Sequence, residues 1–337
     1  MAAGGLAILA AAVLTPARAE LRVAPGLRVE EVVTGLTRPI ELAFQRPGRL
    51  VVLSHGWRGD AAELHWVDLA GTPPADLSRA PRVVIPFAEG PRKTAFGSLA
   101  VEPRTGDLFL GEENGNRIYR FTADQKLALF AVGLHHLVGG SSLAFDGQGR
   151  LVVLDFASPE GRLRSESPAP PGLDWLASEA YQGPLVFRLD PLEDLPRPRR
   201  LDFAVPMFPR RAALGAPGVA ALPRFVSVAA SPAAEGIFLL GSPGEVFRLT
   251  PSTGLQLLAR LPAGNYHRTH MAVAPDGNVF VSSGFHIRDL FRISPAGVVT
   301  IIARELGDPG GIVVDRAGDL YIVETALHRI IRIRPDP

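Results

Sequence analysis

Histidine is concentrated in three short polar segments of this 337-residue chain. Five of its eight histidines lie in GLHHLVGG (133–140), NYHRTH (265–270) and GFHIRD (284–289). Histidine changes its charge near neutral pH, so it serves both as a general base and as a metal ligand. We therefore expect reactive groups in these segments, with His270 as the catalytic candidate. Exposed loop histidines without a catalytic role are the alternative.

Two further sets of polar residues recur at matching positions of short apolar runs. The first set stands at the start of a run, and the second set ends the run that follows. Because side chains alternate between the two faces of a strand, we expect the first set to line a central channel. The first set is Glu41, Ser98, Ser142, Ser227 and His270. The second set is Ser54, Glu112, Asp155, Ser283 and Glu324.

A histidine among carboxylates allows either a catalytic base or a metal site in which His270 joins Glu41 or Glu112. The predicted catalytic residues are Glu41 and His270. The predicted ligand-binding residues are Ser98, Ser142, Glu112, Asp155, His136, His267 and Arg268. For the acids at strand ends, hydrogen bonds to turn amides are the alternative. The turns at Asp146, Asp276 and Asp315 are interpreted as hairpin turns.

A repeating unit of short strands must position these side chains. Its most regular copy, residues 310–333, has apolar runs at Ile312–Val314, Leu320–Val323 and Ile330–Ile333, separated by turns. Short runs of this composition, bounded by Gly- and Asp-containing turns, indicate strands and hairpins. Six such copies follow one another, most of them at the period of about 40–45 residues that is typical of propeller blades.

The last copy has no fourth strand of its own. Most other copies are followed by one, such as Leu127–Val132, Leu255–Leu261 and Val298–Ala303, and Leu27–Val33 has the composition to supply the missing one. The sequence therefore predicts an all-β, six-bladed β-propeller, closed by an N-terminal strand that pairs into the last blade. This propeller domain is expected to span residues 27–337, with insertions at 157–183 and 190–225.

Composition excludes several classes of function. The 35 basic and 34 acidic residues nearly cancel, so no nucleic-acid partner is expected. The chain has no cysteine, which excludes disulfides, thiolate metal sites and a cysteine nucleophile. Motifs of the P-loop, Gly-x-Gly-x-x-Gly, Gly-x-Ser-x-Gly and His-Glu-x-x-His types do not occur in the sequence.

Residues 1–19 have the pattern of a signal peptide. An apolar core from Leu6 to Leu14 ends in Ala17-Arg18-Ala19, which fits cleavage before Glu20. A disordered or incorrectly started N-terminus is the alternative. We expect a periplasmic or secreted monomer, without a membrane span after removal of the signal, that binds a small molecule.

The segments GGIVVDRAGDLYIVETALHRIIRI (310–333) and HMAVAPDGNVFVSSGFHIRDLFRI (270–293) resemble NHL repeats. The resemblance extends to the class of six-bladed propellers formed by senescence marker protein and gluconolactonase. It implies a sugar or lactone ligand and, for gluconolactonase-like hydrolases, a divalent metal held by Glu, Asn and Asp near the start of the innermost strands. The matching positions here are Ile40, Gly97, Ser141, Thr269 and Gly310, none of them a carboxylate or amide. The resemblance therefore implies a gluconolactonase-like enzyme with an altered site, whose use of a divalent metal is left open.

Two alternatives have different sequence support. The same repeats also form non-catalytic NHL-type modules that bind a partner through a loop face. The segment 35–56, GLTRPIELAFQRPGRLVVLSHG, resembles the opening strands of sugar dehydrogenases that depend on pyrroloquinoline quinone. That resemblance implies a histidine base with arginine and lysine around the quinone.

Overall fold

We analysed a computed structural model of the chain. It describes residues 20–54, 61–85, 96–113, 115–134, 137, 140–156, 184–193, 197–201, 204, 206–208, 224–230, 236–282 and 287–336. The signal-like segment 1–19 and the insertion 157–183 lie outside these ranges. Within the ranges, no helix has the length and hydrophobicity that crossing a bilayer requires.

The described residues form mainly short strands, with a turn of 3-10 helix at Thr325–Leu327. In the first half of the chain the strands are β1 (Arg22–Val23), β2 (Leu27–Thr34), β3 (Pro39–Arg46), β4 (Arg49–Ser54), β5 (Ala62–Asp68), β6 (Ala75–Asp76), β7 (Val83–Ile85), β8 (Phe96–Val101), β9 (Leu108–Glu112), β10 (Arg117–Phe121), β11 (Leu127–Val132), β12 (Leu143–Phe145) and β13 (Leu151–Asp155). In the second half they are β14 (Leu185–Leu189), β15 (Arg199–Arg200), β16 (Phe225–Ala230), β17 (Ile237–Gly241), β18 (Glu245–Thr250), β19 (Gly254–Arg260), β20 (His270–Val273), β21 (Val279–Ser282), β22 (Leu290–Ile293), β23 (Val299–Arg304), β24 (Pro309–Val314), β25 (Leu320–Glu324) and β26 (Arg329–Pro335).

These strands form six antiparallel meanders, which are the six blades of a propeller. Blade 1 is β3-β4-β5-β7, blade 2 is β8-β9-β10-β11, and blade 3 is β12-β13-β14. Blade 4 is β16-β17-β18-β19, blade 5 is β20-β21-β22-β23, and blade 6 is β24-β25-β26-β2. The first strand of every blade contacts the first strand of both neighbouring blades. The first strands therefore surround a common axis, and the predicted six-bladed architecture is confirmed.

Strand β2 occupies the fourth position of blade 6. It pairs antiparallel with β26, with Val29 opposite Ile333 and Glu30 opposite Arg332. The preceding strand β1 pairs with β23 of blade 5, so the N-terminal segment bridges two blades. Arg329 Nη1 lies 2.7 Å from Glu31 Oε2 and adds an ion pair across the β2–β26 junction.

Short outer strands extend several blades. Strand β6 pairs parallel with β2, and β15, from the predicted insertion 190–225, pairs parallel with β11. Phe208, from the same insertion, forms an antiparallel bridge to Val186 of β14, at the outer edge of blade 3. The described part of this insertion therefore adds backbone pairs to blades 2 and 3.

The hydrophobic core lies between the faces of neighbouring blades. Leu50, Val51, Val52 and Leu53 of β4 are all fully buried. Val51 and Leu53 pack towards blade 2, whereas Leu50 and Val52 pack towards blade 6. This is the two-residue alternation of a strand buried on both faces, and each such side chain contributes about 1.5–3 kcal/mol of transfer free energy. The apolar runs in the sequence are continuous for this reason.

The hairpin turns between the first and second strands follow the predicted chemistry. Asp146, Asp276 and Asp315 each accept a hydrogen bond at Oδ1 from the backbone N–H two residues later. This is the Asx-turn arrangement in which the side chain imitates a backbone turn. These aspartates therefore have a structural role in the hairpins.

Candidate functional site

The first strands bring the first set of predicted polar residues to the centre of the propeller. Glu41 lies on β3, Ser98 on β8, Ser227 on β16 and His270 on β20, and Ser142 immediately precedes β12. All five are buried. A polar set buried in this way needs internal partners, because an unpartnered buried polar group costs about 1–3 kcal/mol.

His270 and Glu41 are in direct contact, although they belong to blades 5 and 1. His270 Nδ1 lies 2.6 Å from Glu41 Oε2, and each side chain is 5% exposed. Ser141 Oγ is 3.4 Å from the same histidine nitrogen. Because the Glu41 carboxylate lies against Nδ1, the ring nitrogen that is left for chemistry is Nε2.

Blade 6 lies between these two blades, and two glycines of its strand β24 leave the space that the Glu41 side chain occupies. A Cβ on Gly311 would lie 2.5 Å from Glu41 Oε1 and 2.8 Å from Glu41 Cα. A Cβ on Gly310 would lie 2.6 Å from the carbonyl oxygen of Ile40. Neither position can carry a side chain without displacing β3, so both glycines are needed for the contact between Glu41 and His270.

Three further charged residues lie near His270, and two of them, Glu113 and Asp308, interact electrostatically with it. Arg268 precedes β20, Glu113 follows β9 and Asp308 precedes β24. Arg268 Nη2 lies 3.7 Å from Glu113 Oε2. Arg268 (φ 53°) and Asp308 (φ 56°) adopt the left-handed conformation that is uncommon outside glycine and is concentrated at functional sites. We call His270, Glu41, Ser141, Arg268, Glu113 and Asp308 the His270 cluster.

The two added carboxyl groups of the His270 cluster hold their protons more tightly than usual. Burial raises the pKa of Glu113, and the nearby Arg268 and His270 oppose that shift only in part. Burial likewise raises the pKa of Asp308, against the opposing influence of Arg268, His270 and Arg288. The cluster thus combines a histidine base with carboxyl groups suited to donate a proton.

The described residues do not fit the divalent-metal site that the resemblance implies. The site needs several oxygen ligands near the start of the innermost strands. At Gly97, one of the matching positions, the space for a side chain is filled by Glu113, whose Oε1 would lie 1.9 Å from an added Cβ. Within the ranges that the structure describes, no three His, Asp or Glu side chains are grouped as metal ligands.

The predicted serines connect neighbouring blades. Ser98 Oγ donates to the carbonyl oxygen of Gly140 at 2.5 Å, and the backbone N–H of Ser142 donates to Ser98 Oγ at 3.4 Å. Ser282 has the same kind of role, since its Oγ donates to the carbonyl oxygen of Gly310 at 2.6 Å. Ser98 therefore links blade 2 to the segment before blade 3, and Ser282 links the second strand of blade 5 to the first strand of blade 6.

The predicted strand-end acids lie in separate surroundings. Burial raises the pKa of Glu112, whose carboxyl group faces Arg117 and Tyr119. Asp155 is buried at the end of β13, opposite Leu185. Glu324 Oε1 accepts a hydrogen bond from the backbone N–H of Gly307 at 2.7 Å. For Glu324, this agrees with the alternative that the acids at strand ends bind turn amides.

The remaining predicted residues divide between described and undescribed segments. His267 and Arg268 are half-buried in the turn that precedes β20, and Arg268 lies next to Glu113 of the His270 cluster. His136 lies outside the described residues, as do His55, His135 and His286. Sequence reasoning missed Glu113 and Asp308; the one signal for Glu113 was its position next to Glu112.

No protein-family model matches the chain, and no curated protein has a significant sequence match. Among solved structures, the virginiamycin B lyase from Staphylococcus aureus is 12% identical with a TM-score of 0.55, over 92% of this chain and 100% of the lyase. A gluconolactonase from Xanthomonas campestris is 18% identical with a TM-score of 0.53, over 93% of this chain and 91% of the enzyme.

A third solved structure belongs to a protein of another kind. The auxiliary nutrient binding protein from Bacteroides ovatus is 11% identical with a TM-score of 0.55, over 93% of this chain and 77% of that protein. The likeness is one of fold. It agrees with the propeller resemblance found in the sequence, and the three proteins differ in activity.

Proposed function

We propose that this chain binds a small lactone or sugar-derived ester at the His270 cluster and hydrolyses it, with His270 as the general base. The observation that carries the proposal is the contact of 2.6 Å between His270 Nδ1 and Glu41 Oε2. A carboxylate that accepts the Nδ1 proton fixes the ring orientation and leaves the Nε2 lone pair free to take a proton. Buried pairs of this kind are typical of general base catalysis.

The roles of the other residues follow from their positions. His270 Nε2 would remove a proton from a water molecule, and the resulting hydroxide would attack the carbonyl carbon. Arg268, which belongs to the same cluster, would stabilise the negative charge that develops on the carbonyl oxygen. Because the described residues do not fit the metal site, no step of this proposal requires a metal ion.

The comparisons support a small-molecule ligand without deciding the reaction. One relative in fold is a gluconolactonase, and another is a lyase, whose histidine-to-alanine variant is described as catalytically inactive and was solved with quinupristin. The fold of a nutrient binding protein supports the alternative of a non-catalytic binding module. Export, which the leader-like residues 1–19 suggest, would place the activity in the periplasm or outside the cell.

A lactone panel tests the proposal. Purified protein is assayed with glucono-1,5-lactone and dihydrocoumarin, and His270→Ala is expected to lower kcat/KM by about 10²–10⁴-fold. His328→Asn is the matched control, because His328 Nδ1 only accepts the backbone N–H of Arg38 at 3.2 Å and asparagine can accept it too. Binding of a panel lactone without turnover would favour the binding module. Turnover that His270→Ala leaves unchanged would contradict the proposal.

A further inference from the structure

The turn after β9 brings a carboxyl group to the His270 cluster that the proposed reaction does not yet use. Glu112, the last residue of β9, faces Arg117 and Tyr119 within blade 2. Glu113 comes next in the chain and lies against Gly97 of β8. The atoms of Glu113 nearest to an added Cβ on Gly97 are Oε1 at 1.9 Å, Cδ at 2.8 Å and Cγ at 3.0 Å. The missing side chain of Gly97 thus provides the space for the carboxyl group of Glu113.

The surroundings of Glu113 suit a proton donor. Its side chain is 18% exposed, and Arg268 Nη2 is 3.7 Å away, a separation too long for a direct hydrogen bond. Burial is the largest influence on its pKa and raises it, while Arg268 and His270 act in the opposite direction. Glu113 thus interacts electrostatically with His270, the proposed base, and with Arg268, the proposed partner of the oxyanion. Glu113 therefore lies in the electrostatic field of the reacting groups.

We propose that Glu113 is the general acid that protonates the leaving oxygen of the lactone, opposite the base His270. The inference rests on the hydrolytic function proposed above. His270 Nε2 takes one proton from water, and the hydroxide oxygen forms a bond to the carbonyl carbon. The ring C–O bond then breaks, its electron pair stays on the ring oxygen, and that oxygen takes the proton of the Glu113 carboxyl group. His270 loses its proton to solvent, Glu113 regains one, and the product is a hydroxy acid.

The experiment compares two lactones that differ in their leaving group. Ring opening of glucono-1,5-lactone releases an alkoxide, which needs a proton, whereas dihydrocoumarin releases a phenoxide, which needs one far less. In Glu113→Gln, kcat/KM for glucono-1,5-lactone is expected to fall about 10²–10⁴-fold, against less than about tenfold for dihydrocoumarin. Gly97→Ala keeps the carboxyl group but displaces it, because the three atoms nearest to the added Cβ all belong to the Glu113 side chain, so it should reproduce the same selective loss.

The matched control is Glu245→Gln in β18 of blade 4. Glu245 is 20% exposed and pairs with Arg260, so its burial and its arginine partner resemble those of Glu113. This variant should keep wild-type kcat/KM for both lactones, with folding of all variants checked by circular dichroism.

The outcomes separate this inference from the proposed function. Equal losses for the two lactones in Glu113→Gln would overturn the assignment of Glu113 as the acid while the hydrolytic function stands. A wild-type protein that hydrolyses neither lactone would overturn the proposed function and the role of Glu113 together. If Glu113→Gln loses far more kcat/KM for glucono-1,5-lactone, which has the poorer leaving group, than for dihydrocoumarin, the result would support the hydrolytic function and the role of Glu113.

Discussion

Replacing Glu41 by glutamine isolates the effect of the carboxylate on His270. The two side chains have nearly the same shape, so the close packing of Glu41 against Gly311 is kept. The neutral amide removes the negative charge that stabilises the imidazolium formed when His270 takes a proton. The amide can also turn its N–H₂ group towards Nδ1, and this orientation forces the imidazole proton onto Nε2 and blocks the base nitrogen. We expect kcat/KM for the panel lactones to fall about 10²–10⁴-fold in Glu41→Gln.

The same substitution should also lower the free energy of unfolding. The contact of 2.6 Å joins two side chains that are each 5% exposed, and the amide replaces a charged partner by a neutral one. A hydrogen bond to a charged group contributes about 1.5–3 kcal/mol and a neutral one about 0.5–1.5 kcal/mol, so we expect a loss on the order of 1 kcal/mol, which guanidinium unfolding can resolve.

Glu324→Gln is the matched control for Glu41→Gln. Glu324 is also a buried acid of an innermost hairpin, but its partners are the backbone N–H of Gly307 and the side chain of Arg329. The Glu324→Gln variant should have a lower free energy of unfolding but the wild-type kcat/KM per folded molecule. Wild-type activity in Glu41→Gln, or a loss that only follows the unfolded fraction, would refute the reasoning about the His270–Glu41 pair.

The remaining predictions concern packing, pH and metal. Gly311→Ala should lower the free energy of unfolding by about 1–3 kcal/mol or more, because the added Cβ would lie 2.8 Å from backbone atoms of Glu41 and Leu42. Gly71→Ala is the control: its Cβ would have one contact, at 3.8 Å, so this variant should be nearly neutral in the same unfolding assay. Burial raises the pKa of Glu113 above its ordinary value of 4.5, so its contribution to stability is complete below pH 4.5 and is lost as pH rises through the folded-state pKa. Glu113→Gln lacks this loss, so its stability relative to the wild type should rise with pH above 4.5, by at most about 1.4 kcal/mol per pH unit; a pH-independent difference would contradict the raised pKa. Dialysis against EDTA should leave lactone turnover within about twofold, since the described residues fit no metal site, and loss of activity that Ca²⁺ or Mn²⁺ restores would contradict this prediction.

The blades could be predicted because their signal is local. Runs such as Leu50–Leu53 are buried on both faces, so they stay continuously apolar, and the Asp-Gly turns mark the hairpins between them. The strands β6 and β15 have two residues each and join their sheets by parallel pairing. Strands this short have no hydrophobic period, so the sequence could not predict them.

The site could be predicted only where strand geometry fixes the direction of a side chain. Glu41 and His270 were assigned to one ring from their matching strand positions, and the structure places them in contact. Glu113 follows the end of β9 and Asp308 has a left-handed backbone conformation, so strand alternation says nothing about either side chain. Their proximity to His270 comes from the packing of blades 2, 5 and 6, which lies outside any single repeat.

The position of the proton on the neutral imidazole of His270 shows directly whether Nε2 can act as the base. ¹⁵N NMR of the histidine ring nitrogens, assigned by comparison with His270→Asn, distinguishes the two forms. We expect a proton on Nδ1, donated to Glu41, and an unprotonated Nε2 that can act as the base. A proton on Nε2 would contradict the proposed mechanism, because the nitrogen required as the base would then be blocked.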